Sequence, residues 1–205
     1  MNIITISREF GSGGREVGIN LSRHLAYDYY DKEIIAEIAK NKDMEESFVE
    51  RTLENQGWHN IPLTHHCSLS YFLQSLSIEV LLEQRRVIEE IAKVGRDFII
   101  VGRNADTILQ EHKPFNIFLC ADMESKINRC RRRAPEGEDL TDKELIRKIH
   151  KVDKNRARTR DLISGSAWKD PEAYHLTVNT ASWEIQEITV ALADFAKAWF
   201  ERPYR

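Results

Sequence analysis

Short apolar runs alternate with stretches of helical spacing along this chain. Residues 2–7 (NIITIS) form a strand-like run, and a glycine-dense segment follows. From residue 14 to 26 the spacing is helical, with Val17, Leu21 and Leu25 at i, i+4 and i+8. Residues 27–30 make a short strand ending at Asp31, and 32–40 return to helix with Ile34, Ile35 and Ile38 on one side. The pattern predicts a polar helix over 44–55, a loop over 56–68 and a long helix over 71–94, closed by Gly95. DFIIV at 97–101 and FNIFLCA at 115–121 are continuous apolar runs of the kind that parallel sheets bury on both faces, with a short helix over 103–110 between them. Asp122 caps a helix running into Arg131, Arg132 and Arg133. A charged loop over 134–139 follows, and Thr141 with Glu144 makes a capping box for a helix reaching Arg160. A loop over 164–171, a last strand over 175–179 and a closing helix over 183–200 complete the chain. Strands alternating with helices predict an α/β fold with a parallel sheet covered on both faces. Such sheets bind ligands beyond the carboxyl ends of their strands, here 7–14, Asp31, 102–103, Ala121 and Asn179.

The first of those ends carries the clearest chemistry. In IITISREFGSGGREVG a strand runs into a glycine loop that opens a helix. That order aims backbone N–H groups and the positive end of the helix dipole at one point, where a phosphate can sit. Gly11, Ser12, Gly13, Gly14, Arg15 and Glu16 are the candidate phosphate-binding residues. Set against G-x-x-x-x-G-K-[ST], with Gly14 as its last glycine, Arg15 replaces the lysine. Glu16 replaces the magnesium-binding Ser/Thr, and Glu9 stands at the first glycine. A plain glycine-rich turn is the alternative. Asp31, beside this loop, can hold Mg²⁺ or accept a proton from the attacking oxygen, and it can equally cap the following helix. Asp31 and Glu16 are the candidate metal-side groups.

Two further features are basic. GRNAD at 102–106 places Arg103 past a buried strand, where its fork can grip a second phosphate. Between Lys126 and Arg160 basic residues outnumber acidic ones about twofold. In a protein with a phosphate loop, arginines on a mobile segment can stabilise the charge of a transferring phosphoryl group. A solvated helix face is the alternative.

Length and composition narrow the partners. The 205 residues suit one domain, and the net charge of −3 gives no general argument for nucleic acid or a membrane. No apolar run is long enough to span a bilayer, and the N-terminus lacks a signal-peptide pattern. Cys67, Cys120 and Cys130 form no CxxC pair and read as reduced thiols of a cytoplasmic protein. His65 and His66 beside Cys67 read as a polar loop rather than a metal site.

Together SREFGSGGR, YYDKEII, FIIVGRNADTIL, NIFLCADMESKINRCRRR, VDKNRARTR and SGSAWKDPEAYHLTVNT resemble the cytidylate kinase-like family of bacterial P-loop proteins, in order, from Ile3 to about Thr180. The resemblance implies a three-layer α/β/α P-loop kinase fold with a central parallel five-stranded sheet, an acceptor-binding helical insert at 40–70 and a lid at 129–160. It implies phosphoryl transfer from ATP, with Mg²⁺, to CMP, dCMP or a similar nucleoside monophosphate. Arg103, with Asp106 and Asp153, falls on the acceptor side. Arg129, Arg132, Arg156 and Arg160 fall on the lid, with Arg15 and Asp31 as catalytic partners. The chain departs from cytidylate kinases at Arg15 and Glu16, at Val101 and Gly102 before the arginine of the GR motif, at Asn104 after it, and at Arg158 and Thr159 in the lid.

Two other readings stay open. A non-catalytic nucleotide sensor would keep the cradle and lose the metal ligand, which Glu16 favours. A dinucleotide oxidoreductase would need G-x-G-x-x-G, and Glu16 occupies its last position. The basic lid alone does not make a nucleic-acid binder. The sequence leaves oligomeric state open.

Overall fold

The apolar runs become five parallel strands whose alternating side chains face two different helix layers. In the computed structural model the order is β1 (Ile3–Arg8), α1 (Gly14–Leu25), β2 (Asp28–Tyr30), α2 (Glu33–Lys42), α3 (Glu46–Glu50) and α4 (Ser68–Lys93). There follow β3 (Phe98–Val101), α5 (Ala105–Ile108), β4 (Phe115–Cys120), α6 (Met123–Arg132), α7 (Asp142–Ser164), β5 (Leu176–Asn179) and α8 (Ile185–Phe200). The structure describes residues 1–50, 52–53, 68–135, 139–165 and 167–202, with the side chains of 68–77 left out. The predicted 56–68 loop, with His65, His66 and Cys67, falls almost entirely outside these residues, as do 136–138 of the lid loop.

Strand order is β2-β3-β1-β4-β5, all parallel. Alternation along the strands assigns the layers. Ile3, Phe98 and Ile100 pack with Ile34, Ile38, Val80 and Ile88 from α2 and α4. Ile4, Ile6, Ile99 and Val101 point the other way, against Val17 and Leu21 of α1 and Ile188 and Leu192 of α8. Ile3, Ile4 and Ile6 are all fully buried, so β1 is covered on both faces. β1 pairs with β3 on one side and β4 on the other. The chain therefore diverges to opposite sides of β1, and the crevice this creates opens beyond Arg8. None of the described helices is long and apolar enough to cross a membrane.

Two boundaries differ from the sequence expectation for local reasons. The helix expected from 103 starts at Ala105, because Gly102, Arg103 and Asn104 all adopt left-handed backbone, at φ 74°, 61° and 52°. The turn is held by Gly102 N donating to Ile6 O at 2.9 Å and by the buried Gln84 amide donating to Arg103 O at 3.0 Å. Positive φ at two consecutive non-glycine residues is strain that the surroundings hold in place. The capping box at Thr141 and Glu144 forms as expected, but α7 runs on to Ser164 and ends at Gly165, φ 63°.

Candidate functional site

The glycine loop sits at the crevice. Glu9 N extends the β1–β4 ladder by donating to Leu119 O at 2.9 Å. The chain then turns through Gly11 and Gly13, at φ 80° and 87°, into α1. At φ 87° the backbone requires glycine at Gly13; a Cβ there would lie 2.6 Å from Ile185 Cδ1, the movable end of that side chain. No side chain caps α1, and its first internal bond is Val17 N to Gly13 O, 3.0 Å. The N–H groups of its first turn have no acceptor within the helix, which is the arrangement by which helix starts bind anions. Ser12 is fully buried; its hydroxyl donates to Glu9 O at 2.9 Å, and Thr180 Oγ1 donates to Ser12 O at 2.8 Å. Ser12 therefore shapes the loop from behind.

Asp31 and Arg15 stand beside the loop. Arg15 Nε donates to Asp31 Oδ2 at 2.6 Å, with the Arg15 side chain 48% exposed and Asp31 at 3%. Asp31 Oδ1 is buried and has no hydrogen-bond partner among the described residues. Asp31 does not cap α2: the N-cap is Lys32, without a side-chain bond, and Asp31 N instead donates to Glu33 Oε2 at 3.0 Å. Burial, and after it the Asp31 carboxylate, pushes the neighbouring Tyr29 phenol well above its ordinary pKa.

A cavity of about 730 Å³ opens in front of the loop, lined by Arg8 to Arg15 (except Ser12), Glu50 of α3, Arg133 just after α6, and residues of α6 and α7 that include Arg129, Arg131, Lys148 and Arg156. A smaller cavity of about 40 Å³ adjoins it, lined by Ser7, Arg8, Leu53, Gln84, Arg103, Asn104, Arg156 and Thr159 among others. Arg15 faces the first and Arg103 the second, and Arg8 and Arg156 belong to both walls.

The remaining sequence candidates divide. Arg156 donates to Arg8 O at 3.0 Å and covers the Phe10 ring. Arg129 reaches Thr180 Oγ1 at 3.0 Å and Thr180 O at 2.5 Å, clamping the β5–α8 connection that holds Ser12. Arg132 is exposed and lines neither cavity; Arg133 does line the larger one, and it pairs with Glu16. Three more candidates are engaged within the protein. Arg160, expected to close over the transferring group, and Asp106, expected on the acceptor side, form an ion pair with both side chains buried and line neither cavity. The two opposite charges, removed from water, hold each other through Asp106 Oδ2, and Asp106 Oδ1 has no hydrogen-bond partner among the described residues. Asp153, also expected on the acceptor side, accepts the Phe10 amide at 2.7 Å and lies 3.7 Å from Arg156. Burial raises its pKa, opposed by that amide and by Arg156. It anchors the phosphate loop to α7.

Sequence reasoning missed Glu9, Lys126 and Lys169. Glu9 is buried and pairs with Lys126, which is also buried, and with Lys169. Burial alone would raise the Glu9 pKa. Hydrogen bonds and charge from the two lysines outweigh it and hold the carboxyl below its ordinary 4.5. A glutamate at the end of a buried strand needs a cation, which was the available signal. A carboxylate depressed in the folded state stabilises the fold above its unfolded pKa, and that stability is lost as pH falls through the folded value. Thermal midpoints measured from about pH 6 to about pH 3 should therefore fall more steeply in the wild type than in Glu9→Gln. Parallel curves would show that the lysines do not hold this charge.

Mg²⁺ binds proteins through one or two carboxylates together with substrate phosphates. Asp31 Oδ1, without a partner among the described residues and next to Arg15, could supply one such oxygen, although Asp31 is buried and lines neither cavity. Glu16 is engaged by Arg133, and no cluster of three or more metal-ligating side chains occurs among the described residues.

A profile of the cytidylate kinase-like family matches residues 3–182. No curated protein matches the chain. Among solved structures, an uncharacterized protein from Eubacterium ventriosum is similar at TM-score 0.71 and 24% identity, over 97% of this chain and 99% of that one. Shikimate kinase from Acinetobacter baumannii, in complex with shikimate, is similar at TM-score 0.57 and 12% identity, over 98% and 96%. Deoxyadenosine kinase from M. mycoides, with dCMP and dCDP bound, is similar at TM-score 0.50 and 10% identity, over 96% and 99%. These likenesses show a P-loop kinase fold.

Proposed function

The chain belongs to the cytidylate kinase-like family, and from that premise we propose that it transfers the γ-phosphoryl group of ATP to a small phosphate-bearing acceptor, a nucleoside monophosphate of the CMP or dCMP kind. The observation that supports this most is the pair of adjoining cationic cavities. One is headed by the glycine loop, and the other is lined by Arg103.

In this reading the amides of Gly11, Gly13, Gly14 and Arg15 hold the donor phosphates, while the Ser12 amide is turned to Glu9 O, and Arg103 holds the acceptor phosphate. Arg156 stands between the two, and Arg133 approaches the loop from α6. Asp31 offers Oδ1 to Mg²⁺, which when bound neutralises charge on the β- and γ-phosphate oxygens. Asp31 also orients Arg15 through its other oxygen. Positioning and electrostatic stabilisation carry most of the catalysis in such transfers. Residues 40–70 would serve the acceptor, with Glu50 and Leu53 already at the cavity walls. Residues 129–160 would serve as the lid. The cytoplasm, where ATP and monophosphates abound, would be the working compartment.

A nucleotide sensor is the second reading. It is favoured by the pairing of both altered loop residues, Arg15 with Asp31 and Glu16 with Arg133. The test is ADP formation from ATP·Mg²⁺ with each ribo- and deoxyribonucleoside monophosphate in turn. Acceptor-dependent ADP is expected with at least one of them; nucleotide binding without any ADP would leave the sensor.

A further inference from the structure

Arg8 is the last residue of β1, where the chain leaves the sheet for the glycine loop. Its side chain runs between the two parts of the site. A Cβ on Gly14 would lie 2.6 Å from Arg8 Cγ, and one on Gly102 would overlap the Arg8 guanidinium. Gly14 opens α1 at the donor side, and Gly102 opens the left-handed turn that carries Arg103. Both glycines leave room for one arginine. The backbone of Arg8 is fixed as well, since Arg156 donates to its carbonyl at 3.0 Å. Arg8 contributes to the walls of both cavities. Arg15, at the position of the usual lysine, is held by Asp31 at 2.6 Å.

We propose that Arg8 is a catalytic residue: its guanidinium lies between the donor and acceptor phosphates, bridges them, and takes the place of the P-loop lysine from the end of β1. This rests on the kinase reading for its chemistry. In the transfer, an oxygen of the acceptor phosphate bonds to the γ-phosphorus while the bond from that phosphorus to the β–γ bridging oxygen breaks. The electron pair leaves on the β-phosphate of ADP. The nucleophile is already an anion, so the new bond forms without a proton leaving it. Two anions must approach closely, and a planar fork between them offsets their repulsion and the charge on the equatorial oxygens. Lysine, a point charge, serves one phosphate better than two.

The test uses the full-length protein and the variants Arg8→Met and Arg8→Lys, with transfer rates measured on the best nucleoside monophosphate. Arg8→Met is expected to lose on the order of 10²–10³ in rate, and its ATP affinity is expected to fall less than about tenfold. A second readout does not depend on turnover: binding of inorganic phosphate, the minimal acceptor-side anion, with and without saturating ATP·Mg²⁺. In the wild type ATP should leave phosphate affinity within about threefold; in Arg8→Met it should weaken phosphate by about tenfold or more, because the bridging charge is gone. Arg8→Lys should fall between, and it serves alone if the methionine variant does not fold. A wild type that transfers to no acceptor but binds both anions together, with ATP weakening phosphate about tenfold only in the variant, sinks the kinase reading and keeps Arg8 as the bridge. Wild-type coupling and wild-type turnover in the variant overturn the proposal for Arg8.

Discussion

Asp31→Asn is expected to slow phosphoryl transfer by about 10²–10³, which is about 3–4 kcal/mol, with ATP affinity falling less than about tenfold. The carboxylate is buried at the end of β2, with one oxygen on Arg15 at 2.6 Å and the other without a partner among the described residues. Asparagine keeps the shape of the side chain and can still accept a bond from Arg15. It removes the charge that holds Arg15 against the loop and that a cation on the phosphates would use. Both effects count more when charge shifts onto the leaving oxygen than when ATP merely binds, so kcat should fall more than affinity. Arg15 is half exposed and can turn to water, so the thermal midpoint should change little. The measurements are steady-state rate and calorimetric ATP binding. Equal losses in both would make Asp31 only a binding group, and unchanged turnover would remove it from the site.

The second large effect concerns stability. Arg160→Met is expected to cost about 3–5 kcal/mol, the penalty for stranding one charge of a buried pair. For a chain of this size that is roughly 6–20 °C in the thermal midpoint. Arg160 and Asp106 are both buried, and the pair ties α5, just beyond the Arg103 turn, to α7. Arg160 also lies over the Tyr174 ring, whose phenol is pushed up to about 12 by burial and, next, by Asp106. Adding Asp106→Asn to Arg160→Met should recover part of the loss, because no unpaired carboxylate then remains. Turnover per folded molecule should stay within a few-fold of the wild type. A variant with an unchanged midpoint and turnover lowered about a hundredfold would instead put Arg160 at the reacting phosphates.

These two residues show where sequence reasoning reached and where it stopped. The strands were legible because FIIV is apolar throughout and FNIFLC is broken only by Asn116, short runs of the kind a doubly covered strand buries. The start of α7 was legible because the capping box is local in sequence. The glycine loop was legible because its order, strand to glycines to helix, is its mechanism. The partners of the charges were not. Arg160 and Asp106 are 54 positions apart, and an arginine facing a ligand has the same helical spacing as one facing a buried carboxylate. Asp153 forms an i, i+3 pair with Arg156 that reads as a surface pair, yet its stronger bond goes to the Phe10 amide, 143 positions away. Arg8 carries no local signal, since it is one more residue of a strand before the glycines. Its role depends on Gly14 and Gly102 meeting in space, and spacing along the chain does not show that.

The central claim is that the glycine loop and the Arg103 turn hold two phosphates for one transfer. It is tested most directly with ATP carrying labelled γ-phosphorus and Mg²⁺, incubated with the wild-type protein and a mixture of all ribo- and deoxyribonucleoside monophosphates, with the products separated. The account expects label in a nucleoside diphosphate, formed mole for mole with ADP. Label found only as inorganic phosphate, or remaining in ATP while the protein binds it, would contradict the account.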